Sequence, residues 1–162
     1  MGVVIMLKIV KDQEFLRQKS KPITEFNEEL FNFIKEMFIT LKEVKGLGLA
    51  APQVGRLERF FIVKTPDGMP VIILNPEIVA TSIDVQSDWE GCLSIPGKIG
   101  LVERAKEIGL QSLNINKNKY FLSKADGLLS CVIQHEINHL DGILFIDIAK
   151  EIKYTGLNDN NY

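Results

Sequence analysis

The nine residues Q-H-E-I-N-H-L-D-G at 134–142 hold both histidines of this 162-residue chain, four apart, with Glu136 beside the first. Residues four apart share one face of a helix. Leu128 and Val132 precede His135 and His139 at spacings of 4, 3 and 4, so the imidazoles continue an apolar row and turn inward. A buried polar group without a partner costs about 1–3 kcal/mol, and two imidazoles one turn apart repel if both are charged. A shared divalent metal satisfies both. H-E-x-x-H is the spacing in which two histidines bind zinc and the glutamate serves as general base. Glu136 lies roughly 100° around the helix from His135, beside such a metal rather than on it. The bare H-x-x-x-H spacing also arises on ordinary helices, so the third ligand decides between chemistry and core.

A catalytic metal site wants three protein ligands and one open position. From Leu140 to Tyr154 the chain offers only Asp141, Asp147 and Glu151, and no further histidine follows. Upstream, E-G-C-L-S-I-P-G at 90–97 presents Cys92 in an expected loop. Cys131 competes from the same helix, one turn before His135. It sits in the apolar run L-L-S-C-V-I, where a core cysteine fits better.

Two helices and several strands must position these groups. Phe26, Leu30, Phe33, Met37, Leu41 and Val44 recur at 4, 3, 4, 4 and 3, which predicts an amphipathic helix over 24–44. Thr24 is the expected N-cap and Gly46 the expected stop. The histidine helix is expected over 125–140, stopping at Gly142. G-L-G-L-A-A-P-Q-V-G at 46–55 reads as a loop whose small residues let backbone approach something closely. R-F-F-I-V and V-I-I-L-N read as strands joined at P-D-G, with shorter strands near 78–87, 101–115 and 119–122 and N-K-N-K as a hairpin turn. The apolar opening M-G-V-V-I-M-L-K-I-V reads as a strand entering the core, and about 155–162 as a disordered tail. The expected fold is α+β, one domain over 1–162: antiparallel or mixed sheets around a central metal-binding helix, plus one N-terminal amphipathic helix.

The net charge of −2 and the lack of a long basic run give no reason to expect nucleic-acid recognition. Two cysteines are too few for a disulfide scaffold, which favours a reduced compartment. The apolar opening is interrupted by Lys8, and it is short of the roughly 20 residues a membrane helix needs. No secretory signal or lipid anchor is read there. The expectation is a cytoplasmic protein, or an organellar one if the source is eukaryotic.

With G-L-G-L-A-A-P-Q, E-G-C-L-S and Q-H-E-I-N-H-L-D-G in that order, the sequence resembles the peptide deformylase family across nearly its whole length. L-R-Q-K-S-K-P-I and I-L-N-P-E-I also fit. The resemblance implies hydrolytic removal of the N-formyl group from the formyl-methionine of new polypeptides, with release of formate. It implies Cys92, His135 and His139 as ligands of one divalent metal ion, Fe(II) natively, with zinc or nickel able to substitute. Glu136 is implied as general acid and base toward a metal-activated water. The Gln53 side-chain amide and the Leu93 backbone N–H are implied as donors to the formyl oxygen, and Gly48 as a contact to the substrate backbone. Leu47, Leu128, Cys131 and Val132 are implied around the methionine side chain. Implied partners are nascent formyl-methionyl peptides at the ribosome.

Two positions depart from the family pattern. Asn138 stands where the family usually has Asp, which would pair with an arginine such as Arg104; Asn138 can accept a hydrogen bond but forms no ion pair. Ile99, with Lys98 adjacent, stands where many members carry an arginine seven residues after the metal cysteine. Alternatives weighed on the residues are an H-E-x-x-H peptidase, which leaves E-G-C-L-S unexplained, and a non-catalytic metal-stabilised binding domain, which leaves Glu136 and Gln53 unexplained.

Overall fold

The computed structural model describes residues 6–114, 116 and 119–156. In chain order the elements are α1 (Gln13–Leu16), α2 (Glu28–Glu43), β1 (Gly48–Ala50), a 3₁₀ turn (Ala51–Val54), β2 (Phe60–Lys64) and β3 (Pro70–Leu74). There follow β4 (Glu77–Thr81), β5 (Val85–Cys92), β6 (Ile95–Ala105), β7 (Glu107–Asn114), β8 (Lys119–Asp126), α3 (Gly127–Leu140), α4 (Phe145–Ile148) and β9 (Glu151–Tyr154). The strands form three antiparallel three-stranded sheets, ordered β1-β2-β3, β4-β7-β8 and β5-β6-β9.

The unbroken apolar run of β2 explains the layering. Phe60 and Ile62 face α2 and join Leu30, Met37, Leu41 and Leu49 in one core cluster. Phe61 and Val63 face the opposite way and join Ile133, Ile137 and Leu140 of α3. A strand covered on both faces must be apolar throughout rather than alternating. Phe60, Phe61 and Ile62 are fully buried, each contributing on the order of 1.5–3 kcal/mol by leaving water. α3 packs against β1, β2, β6, β7 and β8, which makes the histidine helix the hub of the α+β fold. A third cluster of Leu16, Ile95, Val102, Leu144 and Phe145 ties α1 and α4 beneath β5 and β6.

Several boundaries differ from expectation. α2 begins after Asn27, whose Oδ1 accepts from Leu30 N–H at 2.9 Å, and not at Thr24. Its end is closed by Lys45 in the left-handed region (φ 53), one residue before Gly46. α3 begins two residues late because Ala125 and Asp126 extend β8, paired with Ile108 and Glu107. The expected 46–55 loop is β1 and a 3₁₀ turn, and Cys92 ends a strand rather than lying in a loop. Residues 1–5 of the expected first strand and most of the N-K-N-K turn lie outside the described residues. Residues 6–10 form no ladder: Leu7 N–H donates to Thr40 Oγ1, Val10 N–H donates to Gln53 O, and Leu7 and Ile9 pack on the α2 cluster. Thr155 N–H donates to Gly97 O at 3.0 Å; of the expected tail, residues 157–162 lie outside the described residues.

Candidate active site

The α3 row carries the histidines to the end of the β5–β6 hairpin. β5 pairs with β6 in regular register until a shift between Gly91 and Cys92, which re-aims the cysteine. Its Sγ lies 3.2 Å from His139 Nε2. One donor atom from each of Cys92, His135 and His139 falls within 4.8 Å of the others. The two imidazoles meet edge to face, with centroids 4.9 Å apart.

His135 is oriented from behind. Its Nδ1 lies 2.8 Å from Glu90 Oε2, which leaves Nε2 for the Cys92 side. The buried Arg104 guanidinium donates to both Glu90 oxygens, at 2.7 and 2.8 Å, and to Asn138 Oδ1 at 2.5 Å. Asn138 therefore meets the arginine expected for its position, as a neutral acceptor. The chain Asn138–Arg104–Glu90–His135 fastens α3 to the strands that carry Cys92. Glu90 is the residue that sequence reasoning missed. Its signal was its place two residues before the candidate ligand Cys92.

Burial and mutual charge set the protonation of the three donors and of Glu136. Burial alone would raise the Cys92 thiol, but the His139 and His135 imidazoles hold it well below its ordinary value. Burial would lower His135, yet Cys92 and Glu90 raise it to about 10. Burial pushes the Glu136 carboxyl up to about 6 against the pull of His135 and His139. Among the described residues, Glu136 Oε2 and His139 Nδ1 are buried with no hydrogen-bond partner. One thiolate and two imidazoles at this spacing fit a tetrahedral transition-metal site with one position left open. The three downstream carboxylates are committed elsewhere: Asp141 to Arg59 at 2.7 Å, Asp147 to Arg17, and Glu151 to Lys153 at 3.6 Å. Cys131 stands apart from the triad, with Gln86 Nε2 donating to its sulfur at 2.9 Å.

A cavity of about 430 Å³ opens over the triad between β1, β5 and α3. Gln53, Cys92, Leu93, His135 and Glu136 line it, as do Leu47, Gly48, Leu128, Cys131 and Val132. His139 is buried behind Cys92 and is not part of the lining. Gln53 is buried in the 3₁₀ turn; its Oε1 accepts from Ala50 N–H at 2.9 Å, which turns Nε2 toward Cys92 Sγ and Ser94 Oγ, each at 3.4 Å. Gly48 has a structural reason of its own. A Cβ there would stand 2.4 Å from Glu136 Oε1, so the glycine is what lets β1 pass against the carboxylate.

The polypeptide deformylase family model matches residues 6–154. The chain is 43% identical over 137 residues to peptide deformylase 1 of Clostridium perfringens, covering 84% of this chain and 92% of that protein. It is 46% identical over 132 residues to a peptide deformylase of Clostridium botulinum, covering 82% and 88%. Among solved structures, the peptide deformylase from Thermotoga maritima superposes with a TM-score of 0.84 at 37% identity, covering 91% of this chain and 99% of that one. The match runs through the strand that ends in Cys92 and the helix that carries both histidines. On these grounds the chain belongs to the polypeptide deformylase family, metal-dependent hydrolases that remove the formyl group from the N-terminus of new polypeptides.

Proposed function

We propose that deformylation takes place in the cavity between β1, β5 and α3, with Cys92, His135 and His139 holding one divalent ion. The observation that most supports this is the convergence of one sulfur and two imidazoles within 4.8 Å beside a buried, unpaired Glu136 oxygen. A thiolate among the ligands suits Fe(II) as the native ion, with zinc or nickel able to replace it. The ion supplies Lewis acidity, which makes water a competent nucleophile near neutral pH.

The side chains do the rest. Glu136 takes the proton of the attacking water and passes it to the leaving amide nitrogen; a carboxyl raised to about 6 suits both halves of that transfer. Gln53, its oxygen held by Ala50 N–H, presents Nε2 to the formyl oxygen. The Leu93 backbone N–H is the second donor, and one such donor is typically worth about 2.7–4 kcal/mol. β1 is an edge strand, and Gly46, Leu47 and Gly48 line the cavity. A peptide extended along that edge gains backbone hydrogen bonds in the manner of strand addition, with Gly48 as a backbone contact. Leu47, Leu128, Cys131 and Val132 then surround the methionine side chain. The substrates are nascent formyl-methionyl chains met at the ribosome, in the cytoplasm or in an organelle, with residues 1–162 acting as one domain. Among the described residues no helix is long and apolar enough to cross a membrane.

The test is formate release from formyl-Met-Ala-Ser by the metal-loaded protein and by Glu136→Ala. The variant should keep its metal and lose about 10²–10⁴-fold in rate, the usual contribution of a positioned acid–base group. Undiminished turnover in that variant contradicts the role given to Glu136.

A further inference from the structure

β5 lines the cavity from both of its faces. Glu90 lies on the face turned toward α3, where it meets His135 and Arg104. Successive strand residues alternate sides, so Trp89 and Gly91 lie on the other face. The ladder continues that outer row: Gly91 pairs with Ile99, Ile99 with Lys153, and Trp89 with Leu101. Trp89, Gly91 and Ile99 all border the same cavity that contains Gln53 and Glu136. Gly91 contributes no side chain, and a Cβ there would stand 3.7 Å from Ile99 Cγ2. The cleft therefore runs over bare backbone onto Ile99. Lys153 places its ammonium 4.0 Å from the Trp89 ring centroid and 3.6 Å from Glu151 Oε1, so one face of the indole already carries a cation.

We propose that Trp89 and Ile99 form the subsite for the second residue of the substrate, and that it takes a large apolar side chain in preference to a small or a basic one. The assignment rests on the deformylase reading of the cavity. A peptide extended between the β1 edge and Gly91 that sends its first side chain toward α3 must send its second to the opposite face. On that face it meets Trp89 and Ile99. With the Lys153 ammonium already on the Trp89 ring and Lys98 in the cavity lining, a second-position lysine or arginine is the least favourable occupant.

The experiment compares formate release from formyl-Met-Leu-Ser, formyl-Met-Ala-Ser and formyl-Met-Lys-Ser by the wild-type holoenzyme, Ile99→Ser and Trp89→Ala. In the wild type, leucine should exceed alanine by about tenfold in kcat/KM, as expected for several methylenes on a half-open apolar shelf. Lysine should fall below alanine. The leucine advantage should lie in KM and fall to about threefold or less in each variant, as loss of uniform binding requires. Equal kcat/KM for the three peptides on the wild type overturns the subsite, and needs no variant to fold. A leucine advantage that survives in both variants overturns it as well. No formate from any of the three would instead overturn the function on which the subsite rests.

Discussion

Gly48→Ala is the sharpest perturbation of the acid–base group short of removing it. A methyl at position 48 would lie 2.4 Å from Glu136 Oε1, 2.8 Å from Cδ and 2.9 Å from Cγ, so the nearest atom falls about 1 Å short of ordinary contact. β1 has little freedom to retreat, because Gly48, Leu49 and Ala50 are laddered to Val63, Ile62 and Phe61. Glu136 is buried on α3, whose neighbours Ile133 and Ile137 belong to the core beneath it. The carboxylate therefore moves, by roughly the missing ångström. A misplacement of that size costs about 10²-fold in rate, or about 2.7 kcal/mol of transition-state stabilisation. Steady-state formate release should show the loss in kcat, with KM nearly unchanged and metal content equal to wild type. A loss confined to KM would mean that Gly48 matters only as a substrate contact. A variant with wild-type kcat would refute the claim that Glu136 must sit where β1 permits it.

Burial would raise the Glu90 carboxyl, but Arg104 and His135 hold it at about 2. Glu90→Gln strands the buried Arg104 charge, so stability should fall by about 3–5 kcal/mol in urea titration. Metal loss to a chelator should be about 10–100-fold faster, as for other groups that orient a ligating histidine. An unchanged metal off-rate would remove Glu90 from that role. Asp147 is held below its ordinary value first by its hydrogen bond from Arg17. A depressed carboxyl stabilises the fold above its unfolded value, near 3.9, and that stability is lost as pH falls through the lower folded value. The pair is more than a third exposed on the arginine side, so Asp147→Asn should cost only about 0.2–1 kcal/mol at pH 7. The gap between variant and wild type should shrink below pH 4, and an equal gap at pH 7 and pH 3 would contradict the sign.

The metal-site pattern was legible because it draws on scarce residue types. A chain with two histidines and two cysteines offers few ways to assemble three soft donors, and the 4, 3, 4 spacing oriented both histidines without a structure. α2 was legible from its apolar period, but its start was not. Thr24 and Asn27 are both good cap residues, and only the hydrogen bond to Leu30 N–H separates them. β1, α1 and α4, of three or four residues each, are too short for any period to show. Glu90 and the reason for Gly48 were hidden for another cause. Both act across elements: β5 and β6 to α3 in one case, β1 to α3 in the other. Local pattern carries no information about which side chain a distant strand will meet.

The central claim, that Cys92 completes the metal site with His135 and His139, is tested most directly by the absorption spectrum of the Co(II)-loaded protein. Thiolate ligation gives a sulfur-to-cobalt charge-transfer band that imidazole and carboxylate ligation do not. The band should be present in the wild type and in Cys131→Ser, and absent in Cys92→Ser. Retention of the band in Cys92→Ser, or its loss in Cys131→Ser, would contradict the account.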